Sequence, residues 1–97
     1  MTTYVVIKTQ NSIYTNGVRE AIQMLDAYIV GSVIQQVREE QHKSQELISA
    51  LAGIGRTHLS AIERGQRKPT LETFWKISEA LNMQPSVLLA RIEEKMK

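Results

Sequence analysis

Short amphipathic segments divided by helix-ending residues mark this chain as all-α, five or six short helices behind an N-terminal strand or arm. Three observations carry that expectation. From Val18 onward apolar residues recur at the three- and four-residue spacing of a single helix face. Gly53, Gly65 and Asn82 stand where such stretches end, and Ser44 and Thr70 where the next ones begin. Ninety-seven residues suffice for one modest core and not for two.

Thr2–Thr9 (TTYVVIKT) is rich in β-branched residues and short enough for one strand. A lone strand needs a partner. Either it pairs with the same strand of a second chain, or it is a partly ordered tail. Gln10–Gly17 has the turn chemistry of a loop. Val18 to Val30 is helical by period, with Val18, Ala21, Ile22, Leu25 and Ile29 on one face and Arg19, Glu20, Gln23 and Asp26 on the other. Gly31 interrupts at a cost of about 1 kcal/mol inside a helix. It is either a bend in one long helix or the gap between two.

Ser32–Gln41 resumes the pattern with Val33, Ile34 and Val37 inward, and His42-Lys43 breaks it. Ser44 caps the next helix, Gln45–Ala52, whose inward stripe is Ile48 and Ala52 with Leu51 at its edge. Gly53 ends it, and Ile54 is expected to be buried in the turn. A third helix, Arg56 to Arg64, faces Leu59 and Ile62 inward and stops at Gly65. Pro69 holds Lys68 extended. Thr70 caps a fourth helix with Leu71, Phe74, Ile77 and Leu81 as its core face and Asn82 as its terminator. Pro85 opens a last helix, where Leu88, Leu89 and Ile92 are apolar.

Composition narrows the function. Apolar residues at 42% and charged residues at 23% are the balance of a globular chain and not of a disordered one. Ala27–Val37 is the longest nearly uncharged stretch of the first half. It is too short and too polar to span a membrane, and no basic-then-apolar leader is visible. Without cysteine there is no disulfide framework, thiolate chemistry or Cys-based zinc site, and a cytoplasmic location is expected. Asp26 is the only aspartate, His42 and His58 are isolated, and no nucleophile–base set or metal-ligand spacing appears. The expectation is therefore no enzyme, no cofactor and no metal.

The net charge of +2 says little, but its distribution says more. Arg56, Arg64, Arg67, Lys68 and Lys76 fall in one stretch against only Glu63 and Glu72, while Glu39, Glu40, Glu79, Glu93 and Glu94 lie elsewhere. That is the footprint of a small nucleic-acid binder, and on charge alone equally that of a solvated loop. The stretch Ser44–Pro69 separates the two. Two short helices around a Gly-containing turn, followed by a basic corner, have the build of a helix-turn-helix.

The residues then carry a resemblance. Val30-Gly31-x-x-Ile34-x-x-Val37-Arg38, Ser44-Gln45-x-x-Ile48, Gly53-Ile54, Ile62-Glu63-Arg64-Gly65-x-Arg67-x-Pro69-Thr70 and Ile77-x-x-Ala80-Leu81, with Leu88 and Leu89, resemble the Cro/phage-repressor (Xre) helix-turn-helix family. The match runs from Val30 to Leu89 without a break in register. It implies a lambda-repressor-like five-helix DNA-binding domain at residues 30–97. Residues 1–29 fall outside the resemblance, an N-terminal strand/helix extension that forms a dimerisation element, a cover for the domain or part of a swapped assembly. The resemblance further implies a homodimer on a palindromic operator in double-stranded DNA.

Under that resemblance Arg56, Thr57, Ser60 and Ala61 read bases. Arg56 is the best placed, because a guanidinium can take guanine O6 and N7 together. Ser44, Gln45, His58, Arg64, Gln66, Arg67 and Lys68 meet the phosphate backbone. Arg38 and Glu63 form an internal salt bridge between the first and third helices. Three departures from the family pattern stand out. Ser49 replaces an alanine at a close helix contact, so its hydroxyl must bond back to the backbone. Gly55 is a weaker N-cap than Ser or Thr, and Ala61 leaves a base-reading position with apolar contact only. Leu47 and Leu51 occupy a face that is often polar. They and the N-terminal extension are the candidate surfaces for a protein partner.

Overall fold

A computed structural model describes residues 24–97 of the chain. Within them are five helices: α1 (Ala27–Glu40), α2 (Gln45–Ala52), α3 (Arg56–Glu63), α4 (Leu71–Ala80) and α5 (Pro85–Met96). The expected strand at Thr2–Thr9, the loop at Gln10–Gly17 and the first part of the Val18–Val30 helix lie outside the described residues.

The first described helix does not begin where its period suggests. Residues 24–26 are not helical. Asp26 is the N-cap, its Oδ1 accepting from the amides of Tyr28 (2.8 Å) and Ile29 (3.4 Å). Leu25, expected on the helix's apolar face, precedes the helix and is exposed. A carboxylate that satisfies two orphan amides starts a helix wherever it stands, and apolar spacing is blind to that. Gly31 is neither a gap nor the end of a helix. It lies buried inside the continuous α1.

The helix ends follow one chemistry. Backbone turns left-handed at His42 (φ 58°), Gly53 (72°), Gly65 (76°) and Asn82 (55°). After each, an amide returns to a carbonyl five residues earlier: Lys43 to Arg38, Ile54 to Ser49, Gln66 to Ala61 and Met83 to Ser78, at 2.9–3.2 Å. Those bonds close the carbonyls a helix C-terminus leaves open. Starts are capped by Ser44 and Thr70, whose hydroxyls accept from Leu47 and Thr73 at 3.0 and 3.1 Å.

The core is continuous. Val30, Val33, Ile34 and Val37 of α1, Ile48 and Ala52 of α2, and Leu59 and Ile62 of α3 meet Phe74, Ile77, Leu81, Leu88 and Ile92. Each fully buried Ile or Leu contributes about 1.5–3 kcal/mol relative to exposure. Through these residues α1 packs on α3 and α5, α2 on α3 and α4, and α4 on α5. Ile54 is half-buried against the same core. Ser49 is buried, and its hydroxyl donates to the Glu46 carbonyl at 3.2 Å, leaving no unmet donor.

One residue expected on the core face of its helix lies outside: Leu71 is 80% exposed. Of the apolar residues of α5, Leu88 and Ile92 are buried and Leu89 is exposed. Leu71 is the first residue of α4, ahead of the turn that meets the core at Phe74. Leu89 points away while its neighbour Leu88 is buried, since adjacent residues on a helix cannot share a face.

Candidate nucleic-acid interface

Helix α3 is held by its C-terminal half and presents its N-terminal half. Leu59 and Ile62 are fully buried, while Arg56 and Thr57 are exposed and His58, Ser60 and Ala61 half-buried. Arg56, Ser60 and Arg64, one turn apart, form a row along the outer side of the helix. Gly55 caps α3 without a side-chain bond.

The grip on the other end is close. A Cβ on Gly31 would overlap the Ile62 carbonyl oxygen and lie 2.8 Å from that of Glu63. One on Gly65 would come within 2.7 Å of the Tyr28 Cα. Two glycines therefore let the backbone of α1 lie directly on the end of α3. Beside them Arg38 and Glu63 form a bidentate pair, Nε to Oε2 at 2.7 Å and Nη2 to Oε1 at 2.9 Å. Their side chains are only 11% and 2% exposed. Hydrogen bonding to Glu63 raises the Arg38 pKa above its ordinary value, against the opposing effect of burial. Arg38 Nη1 also donates to the Lys43 carbonyl at 2.8 Å, so the pair ties α1, the α1–α2 turn and α3 together.

Gln45, the first residue of α2, extends this network outward. Its Nε2 donates to Glu63 Oε1 at 2.8 Å, and its Oε1 accepts from Arg56 Nη1 at 3.1 Å. Glu46 adds a carboxylate 3.8 Å from Arg56 Nε. A cation at a helix N-terminus opposes the helix dipole, and these two acceptors offset that opposition. At the far end of the row Arg64 donates to the Ser60 hydroxyl and, at 3.0 Å, to Gln66 Oε1.

The structure thus joins Gln45 with Arg56, and Ser60 with Arg64 and Gln66. Arg67 and Lys68 are exposed beyond the end of α3 and form no ion pair among the described residues. Glu63 is buried against Arg38, and Lys76 sits on α4 with its Nζ 3.5 Å from Glu72. The exposed charges around α3 are therefore Arg56, Arg64, Arg67 and Lys68, with Glu46 the acid among them. Sequence reasoning missed Glu46 and the role of Gly31. An i to i+10 contact leaves no local pattern, and a glycine for close approach reads like a glycine for a break.

Among the described residues no group of three or more His, Asp or Glu side chains could hold a metal ion, and no helix is long and apolar enough to cross a membrane. Leu47 and Leu51, at 44% and 60%, are exposed on the outer side of α2.

Comparison with known proteins places this geometry. The helix-turn-helix family model HTH_3 matches residues 34–88. A protein named as an uncharacterised HTH-type transcriptional regulator from Sinorhizobium fredii is 33% identical over 66 residues, 68% of this chain and 86% of its own. The control protein C.BamHI of Bacillus amyloliquefaciens is 39% identical over 62 residues, 63% of this chain and 76% of its own. Among solved structures, the restriction–modification controller C.AhdI of Aeromonas hydrophila superposes with a TM-score of 0.64 at 31% identity, covering 67% of this chain and 98% of that one. The controller C.Esp1396I, solved as a tetramer with its natural 35-base-pair operator, gives 0.68 at 25% identity, over 74% and 95%. With its two-helix unit, its braced third helix and these relatives, the chain belongs to the Cro/phage-repressor (Xre) family of helix-turn-helix proteins.

Proposed function

We propose that this protein is a sequence-specific transcriptional regulator that binds double-stranded DNA as a homodimer on a palindromic operator, with no catalytic activity of its own. The observation that carries the reading is the outward row of α3, Arg56, Ser60 and Arg64, presented by a helix whose other face is buried. In the bound state α3 lies in the major groove. Arg56 takes a guanine edge, Thr57 a thymine methyl or a base acceptor, and Ser60 and Ala61 the neighbouring edges. The start of α2 at Ser44 and Gln45, together with His58, Arg64, Gln66, Arg67 and Lys68, contacts phosphates and sets the frame. Three of the similar proteins are named as restriction–modification controllers or control proteins, which supports a controller of that kind among the possible regulators. An antitoxin-like autoregulator uses the same geometry.

The dimer reading draws on exposed apolar side chains, Val87 and Leu89 on α5 with Leu71, Trp75 and Tyr28, and on the N-terminal extension of residues 1–29. A gel shift with genomic fragments over a salt series tests the function. Log affinity is expected to fall linearly with log salt, and affinity indifferent to salt contradicts phosphate-led binding. Light scattering of the same sample tests the dimer.

A second reading has its own observation. Exposed Leu47 and Leu51 form an apolar strip on α2 that suits a protein partner. Partner binding through that strip, with no DNA affinity even at low salt, decides for an interaction module.

A further inference from the structure

We propose that Glu46 is a positioning residue for base reading. Acting with Gln45, it buttresses the Arg56 guanidinium so that its outer edge is aimed before DNA arrives. The inference rests on the reading of Arg56 as a base contact.

The chain of hydrogen bonds dictates the arrangement. The Glu63 carboxylate, paired with Arg38, can only accept, so the Gln45 amide must turn its NH2 inward to it at 2.8 Å. Its carbonyl oxygen is thereby turned outward, where it takes Arg56 Nη1 at 3.1 Å. Glu46 Oε2 lies 3.8 Å from Nε of the same guanidinium. Gln45 thus takes one hydrogen of Nη1, and Glu46 sets its charge beside Nε at ion-pair distance, beyond hydrogen-bond reach. The second Nη1 hydrogen and both Nη2 hydrogens are left for a base edge.

The two kinds of DNA contact respond differently to this hold. Guanine in the groove is met by the free edge with both α2 contacts kept, so the ordering of a long side chain is already done in the unbound protein. A phosphate away from an operator has no fixed place relative to that edge, and a guanidinium released from Glu46 follows it more freely. Glu46 therefore favours reading over indiscriminate phosphate contact. It lies in the first turn of α2, where the dipole tolerates its charge in either state.

A double-mutant cycle tests this with Glu46→Gln, Arg56→Ala and the pair. The probes are a duplex enriched by the wild-type protein from a randomised library and a scrambled duplex of equal length. Glu46→Gln is expected to weaken binding to the enriched duplex about two- to tenfold. On the scrambled duplex it should leave affinity equal or tighter, with a salt slope steeper by about one. In the Arg56→Ala background the change in the ratio between the two duplexes should vanish. The Arg56 side-chain Nε–H resonance of the free protein should move in Glu46→Gln, with the melting temperature unchanged. Equal factors on both duplexes, or a change in ratio that persists without Arg56, overturn the buttress alone. A library that yields no preferred sequence overturns the DNA-reading role and the buttress together.

Discussion

The two ends of α3 are built in opposite ways. At the C-terminal end Ile62 and Glu63 are buried, Gly31 brings α1 to the backbone itself, and Arg38 bonds the Glu63 carboxylate twice. At the N-terminal end Gly55 supplies no side-chain cap, Arg56 and Thr57 are exposed, and the holds on Arg56 are Gln45 and Glu46. Burial is concentrated where the helix meets its own domain, and exposure where it faces outward. A binding element needs both, because a few weak polar contacts discriminate only if the backbone that aims them is already in place.

Substitutions at the two ends should therefore have different signatures. The largest effect on the fold is expected from Glu63→Ala. It leaves the Arg38 guanidinium buried without its carboxylate, and unfolding in urea should show a loss of about 3–5 kcal/mol. Replacing both members with Met and Leu should recover most of that loss. A double variant as unstable as the single one would mean the charge pair is itself the source of stability.

Gly31→Ala comes next. In an unconstrained helix the change stabilises by about 1 kcal/mol. Here the new methyl meets the Ile62 and Glu63 carbonyls, and a net loss of about 1–3 kcal/mol is expected from overpacking. Unchanged or raised stability would show that α1 and α3 can part without cost.

At the other end Arg56→Ala should leave the melting temperature in place and relax base preference by about 1–3 kcal/mol at one position. Lys68→Ala should lower affinity evenly across sequences and reduce the salt slope by about one. Equal, sequence-blind losses from both would remove Arg56 from the reading set.

Much of this architecture was legible before any coordinates. The apolar spacing and the residues Gly53, Gly65, Asn82, Ser44 and Thr70 located α2, α3 and α4, because helix periods and caps are local chemistry confined to a few residues. The resemblance carried by Ser44-Gln45 and Ile62-Glu63-Arg64-Gly65 named the candidate site. The start of α1 is not legible in the apolar pattern, which extends the helix further back than the Asp26 cap allows. Leu71 was expected inside because its spacing from Phe74 is helical, yet a helix's first residue can overhang the core it leads to.

The sequence alone determined which segments are helices, which of their faces are apolar and which residue types stand ready to meet DNA. Tertiary structure alone decided that Gly31 is a contact and not a break, that Gln45 faces Glu63 inward and Arg56 outward, and that Glu46 touches Arg56. Those pairings join residues ten to thirty-two positions apart. Only the packing of α1, α2 and α3 around one core brings such partners within reach, and no local period or cap encodes a distance of that kind.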